Sequence, residues 1–280
     1  MNSFAYYNGT FGKKDEISIP LCDRSIFFGD AIYDAAIGSY DRIMWEDEHV
    51  ERFLSNADKI GISHPYTKKY ISSLLREIAI KSMIPNYFLY FQMSRCRESR
   101  IHSATNCQSS LLVTVDPFTP DENNRPLKLK TAEDKRYSLC NIKTTNLLPA
   151  VLASTEAEKC GCDEAVFVKD NIITECAKSN ISIINQGRII THPVNERILP
   201  GITRSHLIDI CRRNGIDVEQ RPFTVSELFS ADEILVTSTT KLCRKVEMID
   251  RISVGGKSES LASFLSESMY YQYKICCKVH

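Results

Sequence analysis

The sequence has no excess of charge of either sign: 35 basic residues balance 35 acidic ones across 280 residues. That excludes the electrostatic footprint of a nucleic-acid or anionic-membrane binder and leaves a small molecule as the expected partner. No apolar run approaches the ~20 residues that a membrane span needs. The start, Met1-Asn2-Ser3-Phe4-Ala5-Tyr6-Tyr7, lacks a charged region followed by an apolar one. A soluble, cytoplasmic protein without membrane contact is the expectation. No C-x-x-C pair with a partnering histidine occurs, and the eleven cysteines are odd in number and irregular in spacing, so neither a disulfide framework nor a zinc site is indicated. Reduced thiols and no metal are expected. Internal repeats and low-complexity tracts are absent as well.

What is present is a 43% hydrophobic content, enough for one large core or two medium ones, since single cores stop growing near ~250–300 residues. From Glu48 to Ile62, the residues Val50, Phe53, Leu54, Ala57 and Ile60 recur at helical spacing. Lys68 to Ser82 repeats the pattern with Ile71, Leu74, Leu75 and Ile78. Tyr87–Arg95 and Ser110–Val115 read as strands. The stretch Pro117–Pro126 gathers proline, asparagine and charge as a linker does. The expected organisation is therefore a small N-terminal α/β domain (1–118), a linker (119–126) and a larger C-terminal α/β domain (127–280). In the latter, Ala165–Val168, Ile172–Cys176, Asn180–Asn185 and Arg188–Thr191 predict a meander of hairpins without parallel crossovers. Helices follow at Ser205–Arg213 and from Glu259 to about Ile275.

Five segments carry groups suited to chemistry. Leu199-Pro200-Gly201-Ile202-Thr203-Arg204 runs into the helix Ser205–Arg213, so free N–H groups and the positive end of the helix dipole converge on a glycine turn that can hold an anion. Thr203 adds a hydroxyl there; an ordinary turn has the same residues. Thr237-Ser238-Thr239-Thr240 follows the strand Glu233–Val236 and offers hydroxyls for a second phosphate-contacting loop, or is simply a turn. Lys143 lies in the mostly neutral, apolar stretch Leu139–Pro149, where desolvation would lower an ammonium pKa as a Schiff-base lysine needs. The alternative is a surface lysine before a helix Leu148–Cys160. Glu175 ends a strand and can hold a pyridinium N–H, or it is a strand-end carboxylate paired with Lys178. Arg100 and His102, two residues apart, point the same way in extended chain and can clamp one carboxylate; otherwise they belong to a solvated basic loop.

Taken in order, these segments resemble the class IV pyridoxal-phosphate aminotransferases, which include D-amino-acid transaminases, branched-chain aminotransferases, aminodeoxychorismate lyases and R-selective amine transaminases. The resemblance spans nearly the whole chain, beginning with Tyr7-Asn8-Gly9, Phe28-Gly29-Asp30-Ala31-Ile32-Tyr33-Asp34 and Asp47-Glu48-His49-Val50-Glu51-Arg52. Within the group, Arg100-Ile101-His102 matches the Arg-x-His of D-amino-acid transaminases, and Asn141-Ile142-Lys143-Thr144 through Leu147-Leu148-Pro149 matches their lysine segment.

The resemblance implies a mixed α/β (α+β), two-domain fold of the D-amino-acid aminotransferase type with the active site between the domains. It also implies pyridoxal 5'-phosphate as cofactor and a homodimer whose second subunit helps build the substrate pocket. The implied activity moves an amino group between a D-amino acid such as D-alanine and a 2-oxo acid such as 2-oxoglutarate. By the same resemblance Lys143 is the Schiff-base lysine and proton shuttle, Arg52 holds the cofactor phosphate and Glu175 binds the ring nitrogen. Ile202, Thr203 and Thr239 complete the phosphate cup and Leu199 backs the ring, while Tyr33, Arg100 and His102 receive the substrate α-carboxylate. The alternatives are a branched-chain L-aminotransferase, an R-selective amine transaminase, an aminodeoxychorismate lyase, or a catalytically silent ligand-binding homologue. Ala31, Asp34, Cys96, Cys176 and Ser182 depart from the usual pattern of the group.

Overall fold

Contacts divide the chain into two units, the first comprising Met1–Thr119, Ile142–Asn146 and Tyr273–His280 and the second Pro120–Asn141 and Leu147–Gln272. The computed structural model describes residues 3–104, 108–122 and 125–278. The sequence places Lys143 in a domain spanning 127–280, whereas its segment, 142–146, groups with the first unit. Residues 123 and 124 of the expected linker 119–126, and Met1 and Asn2 of the start, lie outside the described residues.

The first unit is built from β1 (Phe4–Tyr7), β2 (Thr10–Lys13), α1 (Arg24–Phe28), β3 (Ala31–Ser39), β4 (Arg42–Ile43), α2 (Glu46–Lys59), α3 (Lys68–Ser82), β5 (Asn86–Ser94) and β6 (Ser110–Pro117). The strands form one antiparallel sheet in the order β2-β1-β6-β5-β3-β4. The helical spacing read from the sequence becomes one buried stripe per helix. Val50, Phe53 and Ala57 of α2 and Ile71, Leu75 and Ile78 of α3 join Ile32, Ala36, Leu89 and Phe91 of the sheet in one core. Burying a side chain such as Phe53 contributes about 1.5–3 kcal/mol. The acidic first turn of α2, Glu46, Asp47 and Glu48, and Lys59 in its last turn both suit the helix dipole. The Thr67 hydroxyl caps α3 by accepting from the Tyr70 amide.

The second unit contains β7 (Leu127–Glu133), α4 (Leu148–Lys159), β8 (Glu164–Lys169), β9 (Ile172–Cys176), β10 (Asn180–Asn185), β11 (Arg188–Thr191), α5 (Ile202–Arg213), β12 (Val218–Gln220), β13 (Phe223–Thr224), α6 (Val225–Ser230), β14 (Glu233–Ser238), β15 (Leu242–Ile249), β16 (Ile252–Ser253) and much of α7 (Glu259–Cys277). Its sheet runs β12-β11-β10-β14-β15-β7-β8-β9-β13. Two hairpins form as expected, with Asp170, Asn171, Gln186 and Gly187 at positive φ in their turns. The uninterrupted meander does not. β7 pairs β8 in parallel, as do β15 with β7 and β11 with β12. Turn residues specify only adjacent pairings; the others depend on which apolar faces meet in the shared core of Leu129, Val166, Ile181, Ile234 and Val246.

The position of β9 and β10 shapes the site. Four strands separate them in the sheet path, which in a flat sheet would put them ~24 Å apart. Yet Cys176 and Asn180 are joined by a turn that spans at most ~15 Å. The sheet must therefore curl, bringing the end of β9 beside the start of β10.

Cysteine chemistry departs from the expectation of reduced thiols throughout. Cys96, fully buried just after β5, is disulfide-bonded, whereas the other nine described cysteines are free; irregular spacing carried no sign of that bond. Among the described residues, no helix is long and apolar enough to cross a membrane, and no group of three or more metal-ligating side chains is assembled.

Candidate active site

Strand alternation sends Tyr33 and Asp34 to opposite faces of β3. Asp34 turns toward α2, fully buried, and accepts from Arg52 Nε and Nη2 at 2.7 Å each and bonds His49 Nδ1 at 2.8 Å. Burial works to raise the Asp34 carboxyl, but the Arg52 guanidinium and the His49 hydrogen bond outweigh it and hold it well below the usual carboxylate range. Burial also pushes the His49 pKa down, with Asp34 opposing and the nearby Arg52 and Lys143 charges assisting.

On the opposite face, the Tyr33 ring stacks on Tyr90 at 5.3 Å. The Lys143 ammonium lies over the same Tyr33 ring, 4.3 Å from its centroid. The lysine segment is held by backbone pairing: the Tyr33 amide donates to the Lys143 carbonyl at 2.9 Å and the Thr145 amide to the Ala31 carbonyl at 3.1 Å. The Thr145 hydroxyl and Asn146 Nδ2 both donate to the Gly29 carbonyl, at 2.9 and 3.0 Å.

The residue before that glycine, Phe28, receives the Arg100-Ile101-His102 loop. Arg100 lies over its ring at 5.4 Å and the His102 ring lies 5.4 Å from it. The pair therefore meets at one aromatic surface, while Tyr33 packs with Lys143 and Tyr90. Buried Arg24 fixes the loop backbone, donating to the Ile101 carbonyl and, at 2.8 Å, to the His102 carbonyl. Its Nε donates at 2.9 Å to Asp30.

In the second unit, Glu175 is buried at the end of β9 and accepts from three directions: Arg136 Nη1, Asn180 Nδ2 at 2.9 Å and the Leu199 amide at 3.1 Å. Its partner is thus Arg136 rather than Lys178. Arg136 is gripped in turn by Asp134, through Nε at 2.9 Å and Nη2 at 2.7 Å. Burial works against the Arg136 cation, but its bonds with Asp134 and Glu175 prevail and raise its pKa above the usual arginine range. Asn180 also donates to the Leu199 carbonyl at 3.0 Å, so Leu199 is held at both ends of its backbone.

Gly201 caps α5 without any side-chain hydrogen bond, followed by buried Ile202 and Thr203 in the first turn. A Cβ on Gly201 would stand 1.9 Å from Asn180 Oδ1, so only glycine permits that approach. Asn180 pairs across the ladder with Thr237, which is two residues before Thr239. Glu175, Leu199, Ile202, Thr203 and Thr239 therefore belong to one cluster of loops in this unit.

Sequence reasoning missed the groups that hold these residues in place. Arg136, Asp134, Arg24 and Glu164 look like ordinary charged residues in the sequence. Their only signal is proximity to a motif: Arg136 precedes Lys143 by one short segment, and Arg24 precedes Gly29-Asp30. Among the pattern departures, Cys176 packs into the core of the second unit and buried Ser182 pairs across β10 with Thr191 and Leu235.

The model of the family described as amino-transferase class IV matches residues 32–249. A D-alanine aminotransferase from Bacillus licheniformis is 32% identical over 256 residues, 89% of this chain and 89% of that protein. Among solved structures, a branched-chain aminotransferase from Thermoproteus uzoniensis superposes with a TM-score of 0.88 at 20% identity, covering 99% of this chain and 98% of that one. A branched-chain amino acid aminotransferase from Escherichia coli superposes at 0.85 with 17% identity and coverage of 96% and 94%.

The chain belongs to the class IV aminotransferases. It is accordingly a pyridoxal-phosphate-dependent transaminase with the mixed α/β fold of that family. Its residues fit the cofactor. The α5 N-terminus, opened by a glycine and uncapped by any side chain, suits a phosphate, and Glu175 is a buried acceptor oriented by three donors.

Proposed function

We propose that this transaminase is a D-amino-acid aminotransferase, moving an amino group between a D-amino acid such as D-alanine and a 2-oxo acid such as 2-oxoglutarate. The observation that carries this reading is the pairing of Arg100 and His102 at Phe28, on a loop whose backbone is anchored by buried Arg24. A guanidinium and an imidazole held together on a fixed loop suit an α-carboxylate, which arginine binds through two parallel hydrogen bonds. A relative named for D-alanine shares 32% identity with the chain; the branched-chain enzymes, at 20% and 17%, share the fold.

When bound, the cofactor supplies an electron sink for charge developing at the donor α-carbon. Lys143 is assigned as the lysine whose amine would hold the cofactor, and that amine would move the proton at the donor Cα. The Tyr33 ring beneath its ammonium limits where that amine can swing. Arg52, oriented by Asp34, and the α5 N-terminus with Ile202, Thr203 and Thr239 are assigned to the phosphate. Glu175 would accept from the ring nitrogen, and Leu199 would back the ring. Arg100, His102 and Tyr33 are assigned to the α-carboxylate, and a carboxylate held there would leave only one enantiomer with its Cα hydrogen toward Lys143.

The proposal includes a homodimer. Leu148, Val151 and Leu152 leave an apolar face exposed at the start of α4, and Leu21, Ile26 and Phe27 are exposed near α1; such surfaces are usual at subunit contacts. The substrate assignment is tested by titrating the purified enzyme with D-alanine, L-leucine and an R-amine in turn while following the visible band of the lysine-bound cofactor. D-Alanine should convert it and the other two should not. Conversion by L-leucine or by the R-amine in preference to D-alanine would overturn the D-specific reading.

A further inference from the structure

Glu164, the first residue of β8, has no part in the chemistry above, yet its fully buried carboxylate ties together two loops that do. From the β9–β10 turn it receives the Lys178 amide on Oε1 at 2.6 Å and the Ser179 hydroxyl on Oε2 at 2.9 Å. That turn is bounded by Glu175 and Asn180. From the β14–β15 loop it receives Lys241 Nζ on Oε2 at 2.6 Å. Thr239 lies in that loop, which is closed by the Lys241 amide donating to Ser238 Oγ at 3.2 Å. Lys241 Nζ also reaches Ser179 Oγ at 3.5 Å, so lysine, serine and glutamate form a closed triangle.

A carboxylate with 0% side-chain exposure persists in a protein interior only when it is paired and hydrogen-bonded. Here the pairing cation sits two residues beyond Thr239 and the other donors lie three and four residues beyond Glu175. Because Lys241 Nζ is committed to Glu164 at 2.6 Å, it serves the carboxylate rather than a phosphate. We propose that Glu164 and Lys241 are positioning residues that lock the Thr239 loop to the Glu175–Asn180 turn, fixing the separation between the phosphate contact and the ring-nitrogen contact. The inference rests on the assignment of Thr239 and Glu175 to the cofactor.

The test compares dissociation constants of the apoprotein for pyridoxal phosphate and for pyridoxal, which lacks the phosphate, in the wild type and in Lys241→Met. Loss of loop registration should weaken pyridoxal phosphate about tenfold and pyridoxal by less than about twofold. Adding Glu164→Gln to Lys241→Met should weaken binding little further, since the pair acts as a unit. An unchanged affinity for pyridoxal phosphate, or equal weakening of both ligands, would overturn the proposal. Should Lys241→Met fail to fold, Ser179→Ala loosens the same triangle more gently; it should weaken pyridoxal phosphate about threefold and leave pyridoxal unchanged, and an unaltered value would again overturn the proposal. A wild type that binds no pyridoxal phosphate would overturn the functional reading together with this inference, whereas wild-type binding with an unaltered Lys241→Met overturns the inference alone.

Discussion

In the first unit a buried carboxylate, Asp34, takes two nitrogens of Arg52 and one of His49. In the second, Glu175 takes one nitrogen of Arg136 together with Asn180 and the Leu199 amide. The two clusters use the same chemical pair with the roles exchanged. In the first the arginine is assigned to the ligand and the carboxylate orients it; in the second the carboxylate is assigned to the ligand and the arginine orients it. Arg136 keeps Asp134 when Glu175 is altered.

The largest expected effect falls on Lys143, which stands apart from both pairs. Lys143→Ala should abolish turnover while circular dichroism shows an intact fold, because no group in either cluster can replace its amine in the cofactor linkage. Wild-type activity in that variant would remove the lysine assignment. Next come the pairs themselves. Asp34→Asn removes a fully buried carboxylate from between Arg52 and His49 and should cost about 3–5 kcal/mol of stability. Glu175→Gln leaves Arg136 paired with Asp134 and should cost about 1–3 kcal/mol. Equal shifts in urea unfolding would break the comparison.

Below these lies the substrate clamp. Arg100→Leu should cost about 1.5–3 kcal/mol of carboxylate binding, seen as a rise in KM for D-alanine of roughly tenfold to a hundredfold. An unchanged KM would place the clamp elsewhere.

The smallest effect is the pH dependence that His49 gives the first cluster. His49 has a depressed folded-state pKa, so below the ordinary histidine value of ~6.5 the unfolded chain binds a proton that the folded one refuses, and stability falls with pH by at most about 1.4 kcal/mol per unit. Asp34 acts lower still. Its folded carboxyl is depressed, so its contribution is complete above ~3.9 and is lost as pH falls from there toward the folded value. His49→Gln should flatten stability between about pH 6.5 and about pH 5, and a profile unaltered by that change would contradict the assignment.

Local order was legible in the sequence because it is written locally. The stripe Ile71, Leu74, Leu75 and Ile78 specifies α3, bounded at Lys68 and Ser82 as its spacing predicts. Asp170-Asn171 and Gln186-Gly187 specify two hairpins. The parallel pairing of β7 with β8 was not legible, because the residues that decide it are apolar positions far apart in the chain, each compatible with several neighbours. The site divides in the same way. Lys143, Glu175 and the Gly201 turn are candidates because they sit in motifs that can be read locally, whereas Arg24, Arg136 and Glu164 acquire meaning only from the carboxylate or carbonyl that folding brings to them. A charged side chain reads the same on a surface as in a buried pair.

The central claim is that Lys143 carries the cofactor, and borohydride reduction of the holoenzyme followed by peptide mass mapping tests it directly. A pyridoxyl adduct on the peptide containing Asn141-Ile142-Lys143-Thr144 is the expected result, and an adduct on any other lysine, or none, would contradict it.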